Sequence, residues 1–276
     1  MGARASRYWT PGPHGLLSYL RWPGPGEPIL FLHPVNTAAR VWTGIAERVD
    51  RASVAVDFRG HGRSEPGSSY LPQDYARDAL AVLDYLEIDR VHVVGGSLGG
   101  AIAVELTALA PRRVASIALF GASLCIGFPA AQTAVMVESL RDLGVDGFFA
   151  KHGGEILGPD AAPEAAEELV RLASGRKVGC VAAIIADAFE VADSRPTARA
   201  LTAIPPALVA VGSHDPTCPL SMARELGAAL GVEPVVMEGI GHLPMIEDPG
   251  ASAALVEAFF ARVETPYPPA TSRDRS

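Results

Sequence analysis

Apolar and polar positions alternate along most of this chain in blocks of two kinds. Short apolar runs, typical of buried strands, occupy residues 16–22, 29–33, 54–57, 91–95, 114–120, 207–212 and 234–238. Between them, apolar residues recur at helical spacing over 42–49, 74–86, 98–109, 220–230 and 250–263. Strands that alternate with helices predict an α/β fold with a mostly parallel central sheet and helices on both faces.

The alternation is interrupted between Phe120 and Pro205. Helical patterns follow one another there, over 130–143, 163–173 and 179–191, joined by turns that contain glycine or proline. We therefore expect a first core segment at 1–121, a helical insertion at 122–204 and a second core segment at 205–263. The polar, proline-bearing stretch 264–276 has little to bury and is predicted to be a disordered tail.

Composition narrows the class of protein. A chain of 276 residues with 49% hydrophobic content can bury one sizeable core and carry an inserted subdomain. The net charge of −8 argues against a nucleic-acid partner or an anionic membrane surface. We expect no signal peptide and no membrane span, since no apolar stretch reaches about 18 residues. Three cysteines without metal-ligand spacing favour reduced thiols in a cytoplasmic protein without a metal site: Cys125, Cys180 and Cys218.

The apolar run at 91–94 stops at Gly95-Gly96-Ser97-Leu98-Gly99, and a helical pattern follows at once. A serine in the pattern G-x-S-x-G between a strand and a helix is typical of a nucleophile elbow, a strained turn that exposes the hydroxyl. The flanking glycines leave room where strand and helix approach each other. A serine hydroxyl is a poor nucleophile at neutral pH, so it needs a base and a group that orients the base.

Two later predicted strands are followed by residues that can supply these groups. Asp215 comes after the first of them and His242 after the second. The order Ser97, Asp215, His242, with each residue just beyond a strand, is the order of the α/β-hydrolases. From about residue 16 to residue 262 the chain resembles this superfamily, and within it the capped serine hydrolases of the esterase and enol-lactonase kind.

The resemblance implies an oxyanion hole, the pair of N–H groups that bind the developing negative charge. Family members carry a strand ending in His-Gly, followed by a residue that donates its backbone N–H; here His33-Pro34 takes that position. The donor would be Val35, paired with Leu98, and Pro34 does not remove it because the required N–H lies one residue later. Asn36 either adds a side-chain donor or only forms the turn. A later stretch resembles the family's loop before the elbow, and three of its side chains are predicted to fix that loop: Asp57, Arg59 and His61.

The resemblance also gives the insertion at 122–204 the position of the family's helical cap. Such a cap would roof a pocket at the carboxyl ends of the strands. Apolar residues of the insertion either line this pocket or pack inside the cap: Met136, Phe148, Phe149 and Phe189. His152 and Asp187 are polar candidates for substrate contact.

The expected reaction is hydrolysis of an ester, thioester or lactone of a small organic substrate. Ser97 would attack the carbonyl, His242 would accept its proton, and Asp215 would orient the imidazole, with no cofactor. A serine at position 97 argues against the epoxide-hydrolase and dehalogenase branches, which use aspartate. Alternatives are a carbon–carbon bond hydrolase of ring-cleavage products, a biosynthetic acyltransferase or cyclase, and a ligand receptor without activity. We expect a monomer or homodimer whose partner is the small-molecule substrate.

Overall fold

An eight-stranded sheet occupies the centre of the computed structural model, which describes residues 4–264. In chain order its strands are β1 (Ser6–Gly12), β2 (Gly15–Trp22), β3 (Ile29–Leu32), β4 (Ser53–Val56), β5 (Val91–Gly96), β6 (Val114–Phe120), β7 (Ala207–Gly212) and β8 (Val235–Met237). Their spatial order is β1-β2-β4-β3-β5-β6-β7-β8. Strands β3 to β8 run parallel, and β1 and β2 are antiparallel to their neighbours. The predicted mostly parallel sheet is confirmed.

Strand β1 is not predicted by the hydrophobic pattern. It lies at the edge of the sheet and pairs with β2 from Ser6 opposite Arg21 to Gly12 opposite Gly15. Most of its side chains are exposed or half-buried, including Tyr8 and Trp9. A strand with no continuous buried face lacks the apolar run by which a buried strand is recognised.

Helices cover both faces of this sheet. In chain order they are α1 (Thr43–Ala46), α2 (Pro72–Tyr85), α3 (Leu98–Leu109), α4 (Ala130–His152), α5 (Pro163–Ala173), α6 (Val178–Ala186), α7 (Arg195–Ala200), α8 (Leu220–Leu230), α9 (Pro244–Glu247) and α10 (Pro249–Glu264). Leu30 and Leu32 of β3 pack in one core with α2, α3 and α8. Ile29 and Phe31 point to the other face and pack with α1 and α10. This alternation is what a strand buried between two layers of helices requires.

The chain between β6 and β7 runs through α4, α5, α6 and α7, so the predicted helical insertion is present. Helix α4 is longer than expected because Gly144, at φ 69° and ψ 174°, interrupts the helical backbone without ending the element. The prediction ended at Leu143 and missed the second half. The pattern at 179–191 is α6 followed by a π-helical turn at Asp187–Val191, and α7 was not predicted.

The insertion has a small apolar core of its own, formed by Leu140, Val145, Phe148, Ala173, Val181 and Ile185. This agrees with a separate subdomain, although the division at 122 and 204 stays a prediction. The predicted disordered tail lies outside the described residues, apart from Glu264 at the end of α10. Among the helices of residues 4–264, none combines the length and the apolar character that a membrane span requires.

Candidate active site

Ser97 occupies the sharp turn between β5 and α3. Its backbone angles, φ 51° and ψ −117°, lie in a region that residues with side chains rarely adopt. The turn leaves no space for a side chain at its glycines: a Cβ at Gly95 would lie 2.7 Å from the carbonyl oxygen of Gly99, and one at Gly99 would collide with the carbonyl oxygen of Leu32. The elbow predicted from G-x-S-x-G is therefore present at the carboxyl end of the central strand.

Ser97, Asp215 and His242 lie in one hydrogen-bonded row. His242 Nε2 is 3.0 Å from Ser97 Oγ, and His242 Nδ1 is 2.9 Å from Asp215 Oδ2 and 3.0 Å from Oδ1. All three residues are buried. An ionised carboxylate only accepts hydrogen bonds, so Nδ1 carries the imidazole proton and Nε2 is left to accept the hydroxyl proton of Ser97. The arrangement can remove a proton from the serine.

The loop after β7 fixes the carboxylate. Asp215 Oδ1 accepts the backbone N–H groups of Thr217, at 2.9 Å, and Cys218, at 2.8 Å. The loop after β6 has to leave space for this pair. At Gly121, φ is +52° and an added Cβ would lie 2.5 Å from the carbonyl oxygen of His242 and 3.1 Å from Asp215 Oδ2. Glycine at position 121 therefore allows the ends of β6 and β7 and the His242 loop to meet.

The two predicted oxyanion donors, Val35 and Leu98, line a recess that Ser97 also lines. Within residues 4–264, neither backbone N–H donates a hydrogen bond to another protein group. Neither amide is thus committed to an acceptor within the described residues, as an oxyanion donor requires.

Two buried histidines support the loop of Val35 (residues 34–37), and each is neutral. His33 Nδ1 donates to the carbonyl of Pro34 at 2.8 Å, and its Nε2 accepts the N–H of Phe58 at 3.2 Å. His61 Nε2 accepts the N–H of Asn36 at 3.1 Å. Burial lowers the pKa of His33 to about 4 and the pKa of His61 well below its ordinary range. Each ring can therefore accept a backbone N–H at neutral pH.

The other two predicted loop-fixing residues, Asp57 and Arg59, make buried polar contacts as well. Asp57 accepts the N–H groups of Ala39, at 2.7 Å, and Arg63, at 3.1 Å. Arg59 is buried and forms an ion pair with Asp78 at 2.6 Å. The structural interpretation of this stretch is confirmed.

A cavity of about 580 Å³ opens in front of Ser97 and His242. The helical insertion supplies much of its wall, and the predicted residues of the insertion are among those that border it: Met136, Phe148, Phe149, His152 and Phe189. Asn36 borders it as well. Asp187 does not, since its carboxylate accepts the N–H of Tyr70 at 2.8 Å instead, and the prediction of substrate contact for Asp187 is wrong. Within residues 4–264, no cluster of histidine, cysteine and carboxylate side chains could hold a metal ion.

Comparison with known proteins places this chain in a family. The model of the Alpha/beta hydrolase family matches residues 29–255, most of the chain. The chain belongs to this family. A dihydrolipoyllysine-residue acetyltransferase component of an acetoin cleaving system from Pseudomonas putida is 28% identical over 261 residues, covering 90% of this chain and 64% of that relative. The chain thus spans less than two thirds of that relative's length.

An esterase of Mycobacterium tuberculosis is 36% identical over 107 residues, which is 38% of this chain and 36% of the esterase. Among solved structures, the enol-lactonase of Burkholderia xenovorans superposes with a TM-score of 0.83 at 24% identity, covering 92% of this chain and 100% of the enol-lactonase. At this identity the superposition shows the shared fold. Together with the family match, this superposition identifies the fold as that of an α/β-hydrolase.

One residue of this α/β-hydrolase that supports the Val35 loop was missed by the sequence analysis. Arg176, in the turn between α5 and α6, donates to the side-chain oxygen and to the carbonyl of Asn36, both at 3.2 Å. A third bond runs to the carbonyl of Ala173 at 3.1 Å. Burial lowers the pKa of Arg176 to about 10, so the guanidinium remains charged at neutral pH. The side-chain oxygen of Asn36 is thereby engaged by the insertion.

Glu247, in α9, was missed as well. Its carboxylate accepts the backbone N–H groups of both neighbours of His242, Gly241 at 2.9 Å and Leu243 at 3.0 Å. It also accepts the N–H of Gly158, in the insertion, at 2.7 Å. The short loop that carries His242 is thus held on both sides of the histidine. A lone glutamate five residues after a histidine gives no sequence signal of this role.

Proposed function

We propose that this α/β-hydrolase is a serine hydrolase that cleaves an ester, thioester or lactone of a small organic substrate. The observation that carries the proposal is the continuous row of hydrogen bonds from Ser97 through His242 to Asp215, bordering an apolar cavity of about 580 Å³. Cavities of this size accommodate small organic molecules. The names of similar proteins, an esterase and an enol-lactonase, support the same class of substrate.

The reaction follows from the direction of the hydrogen bonds. Ser97 Oγ attacks the carbonyl carbon while its proton passes to His242 Nε2. The bond between the carbonyl carbon and the leaving oxygen or sulfur then breaks, and His242 returns the proton to that atom. Water replaces the leaving group in a second, equivalent sequence that releases the acid and restores the serine. Asp215 remains ionised throughout and stabilises the charged imidazole.

The oxyanion that forms in both steps is assigned to the N–H groups of Val35 and Leu98. One such donor is worth roughly 3 kcal/mol of transition-state stabilisation in comparable sites. Donors act at this strength only if they are fixed before the reaction begins. The neutral rings of His33 and His61 supply that rigidity to the loop of Val35.

The proposal extends to the helical insertion around the site and to the setting in which the enzyme works. The helical insertion acts as a cap over the cavity, and Phe148, Phe149 and Phe189 contact the substrate. The enzyme works in the cytoplasm, as a monomer or homodimer, on a small molecule. The relative named as an acetyltransferase component favours a second candidate, in which an alcohol, thiol or amine accepts the acyl group instead of water.

Replacement of the nucleophile tests the proposal. Ser97→Ala should abolish covalent labelling by a fluorophosphonate probe and lower the hydrolysis of p-nitrophenyl acetate by several orders of magnitude, with an unchanged circular dichroism spectrum. Ser221→Ala, at an exposed position of α8, is the matched control and should keep both properties. If Ser97→Ala keeps even a tenth of the wild-type turnover, the assignment is wrong.

A further inference from the structure

Two spaces of very different size meet at Ser97. One is the cavity of about 580 Å³, and the other is a recess of about 10 Å³ on the side of Leu98. Val35 and Phe189 border both spaces, as Ser97 does. A free volume on the order of 10 Å³ accommodates one water-sized group. The site is therefore wide on one side of the nucleophile and narrow on the other.

The position of His242 decides which part of an ester lies on which side. The imidazole borders the cavity and is not among the residues that line the recess. The leaving oxygen must receive its proton from Nε2, so it has to lie within hydrogen-bond reach of the ring, on the cavity side. The water that later attacks the acyl-enzyme must be deprotonated by the same nitrogen, so it also has to approach from the cavity side.

The two remaining directions at the reacting carbon are then assigned. The carbonyl oxygen is assigned to the N–H groups of Val35 and Leu98 beside Ser97, where the two spaces meet, and not to the interior of the recess. The acyl substituent is left with the recess beyond them, whose lining is mostly apolar and includes Ala101, Leu124 and Ile126. The leaving alcohol, by contrast, can occupy the cavity of about 580 Å³.

We propose that this enzyme hydrolyses esters of short acyl groups, acetyl above all, with bulky apolar alcohols. The proposal rests on the serine-hydrolase mechanism given above. The recess cannot widen easily, because Ala101 and Leu124 belong to the main core that packs against the sheet and are 2% and 3% exposed. Closely packed protein interiors resist the insertion of even one methylene group.

The wall of the cavity is built differently. Phe149 is half-buried in the small core of the insertion, and the rim reaches solvent at Val135, which is 65% exposed, and at Lys151. An alcohol of variable size can therefore extend from His242 toward solvent. Selectivity is expected on the acyl side and tolerance on the alcohol side.

Two substrate series separate the two sides. In the first, p-nitrophenyl acetate, butyrate and octanoate share one leaving group, so only the acyl chain varies. One methylene in an apolar pocket changes kcat/KM by roughly 10- to 200-fold. We expect kcat/KM to fall at least about tenfold from acetate to butyrate and about 100-fold to octanoate. In the second series, 2-naphthyl acetate should be hydrolysed at least as efficiently as phenyl acetate.

A matched pair of variants locates the selectivity. Ile126→Ala removes three carbons from the recess, at a half-buried position, and should raise the butyrate-to-acetate ratio of kcat/KM about tenfold. Phe149→Ala, on the wall of the cavity, should leave that ratio within about twofold of wild type and change the ratio of naphthyl to phenyl acetate instead. If either variant fails to fold, the two substrate series measured on the wild-type enzyme still test the proposal.

The outcomes distinguish this proposal from the mechanism on which it rests. If the fluorophosphonate probe labels Ser97 but octanoate is hydrolysed within about threefold of acetate, the assignment of the acyl group to the recess is overturned and the serine-hydrolase mechanism stands. If Ser97 is not labelled and none of the esters is hydrolysed, the mechanism fails and the proposal fails with it. A steep decline along the acyl series, relieved by Ile126→Ala alone, supports both.

Discussion

Acid should weaken this fold through the buried histidine that supports the loop of Val35. His33 is 1% exposed, donates at Nδ1 to Pro34 and accepts the N–H of Phe58 at Nε2. Protonation would place a hydrogen on Nε2, directly opposed to the N–H that this nitrogen now accepts. Burial, which disfavours the charged imidazolium, lowers the pKa of His33 from 6.5 to about 4.

The sign of the effect follows from these two values. In the unfolded chain His33 binds a proton as the pH falls below 6.5, whereas in the folded protein it stays neutral until the pH nears 4. Its neutral form favours the folded state fully above pH 6.5, and this stability is lost as the pH falls toward 4. Between pH 7 and pH 5 the loss from this residue is about 2 kcal/mol. His61, whose ring centre lies 4.9 Å away, also has a lowered pKa and changes stability in the same direction.

Urea unfolding at pH 7 and pH 5 measures the loss. Other groups also titrate in this range, so the informative quantity is the difference in pH dependence between wild type and His33→Asn, which does not titrate. The variant should be less stable at both pH values but should lose about 2 kcal/mol less on acidification. His14→Asn, at an exposed position, is the matched control and should keep the wild-type dependence. Agreement of wild type and His33→Asn within about 0.5 kcal/mol would refute the reasoning.

Two further substitutions test the residues around the nucleophile. Asp215→Asn should preserve the geometry but disfavour the imidazole tautomer that His242 needs, so that kcat falls about 10⁴-fold in a folded protein; a loss below about tenfold would mean that this carboxylate is not required. Arg176→Gln removes the guanidinium that holds Asn36 and should lower kcat roughly 10- to 100-fold with little change in KM, because it loosens an oxyanion donor rather than a substrate contact. Arg171→Gln, on the exposed face of α5, is its control, and a pure rise in KM for Arg176→Gln would contradict the assignment.

The central sheet and the row of Ser97, Asp215 and His242 were predictable because each carries a local signal. Parallel strands buried on both faces appear as continuous apolar runs, and the elbow has its glycines two residues before and two residues after the serine. Strands in this fold end at one edge of the sheet, so residues that follow different strands meet there. Local sequence signals therefore predicted that three residues far apart in the chain lie together at one edge of the sheet.

The missed elements lack such signals for identifiable reasons. Strand β1 is paired on one side and largely exposed, so its sequence carries no continuous apolar run. The second half of α4 follows Gly144, a residue that usually ends a helix but here only bends the element. Because a helical pattern that reaches a glycine predicts the end of a helix, the prediction ended before Gly144. The segment with Phe148 and Phe149 was therefore assigned to no helix or strand.

Arg176 and Glu247 could not be found for a different reason, which also explains how the insertion and the core depend on each other. Arg176 lies 140 residues from Asn36, and the partners of Glu247 are backbone N–H groups, which every non-proline residue has. Their contacts tether the insertion to both loops on which the proposed chemistry rests: Arg176 to the loop of Val35, and Gly158 through Glu247 to the loop of His242. A substitution inside the insertion can therefore change turnover without touching the substrate. For this reason the preferences of Ile126→Ala and Phe149→Ala are measured as ratios of kcat/KM between two substrates of the same variant. A displaced loop lowers kcat/KM for both substrates equally and leaves the ratio unchanged. A changed wall of the recess or of the cavity affects one substrate more than the other and changes the ratio.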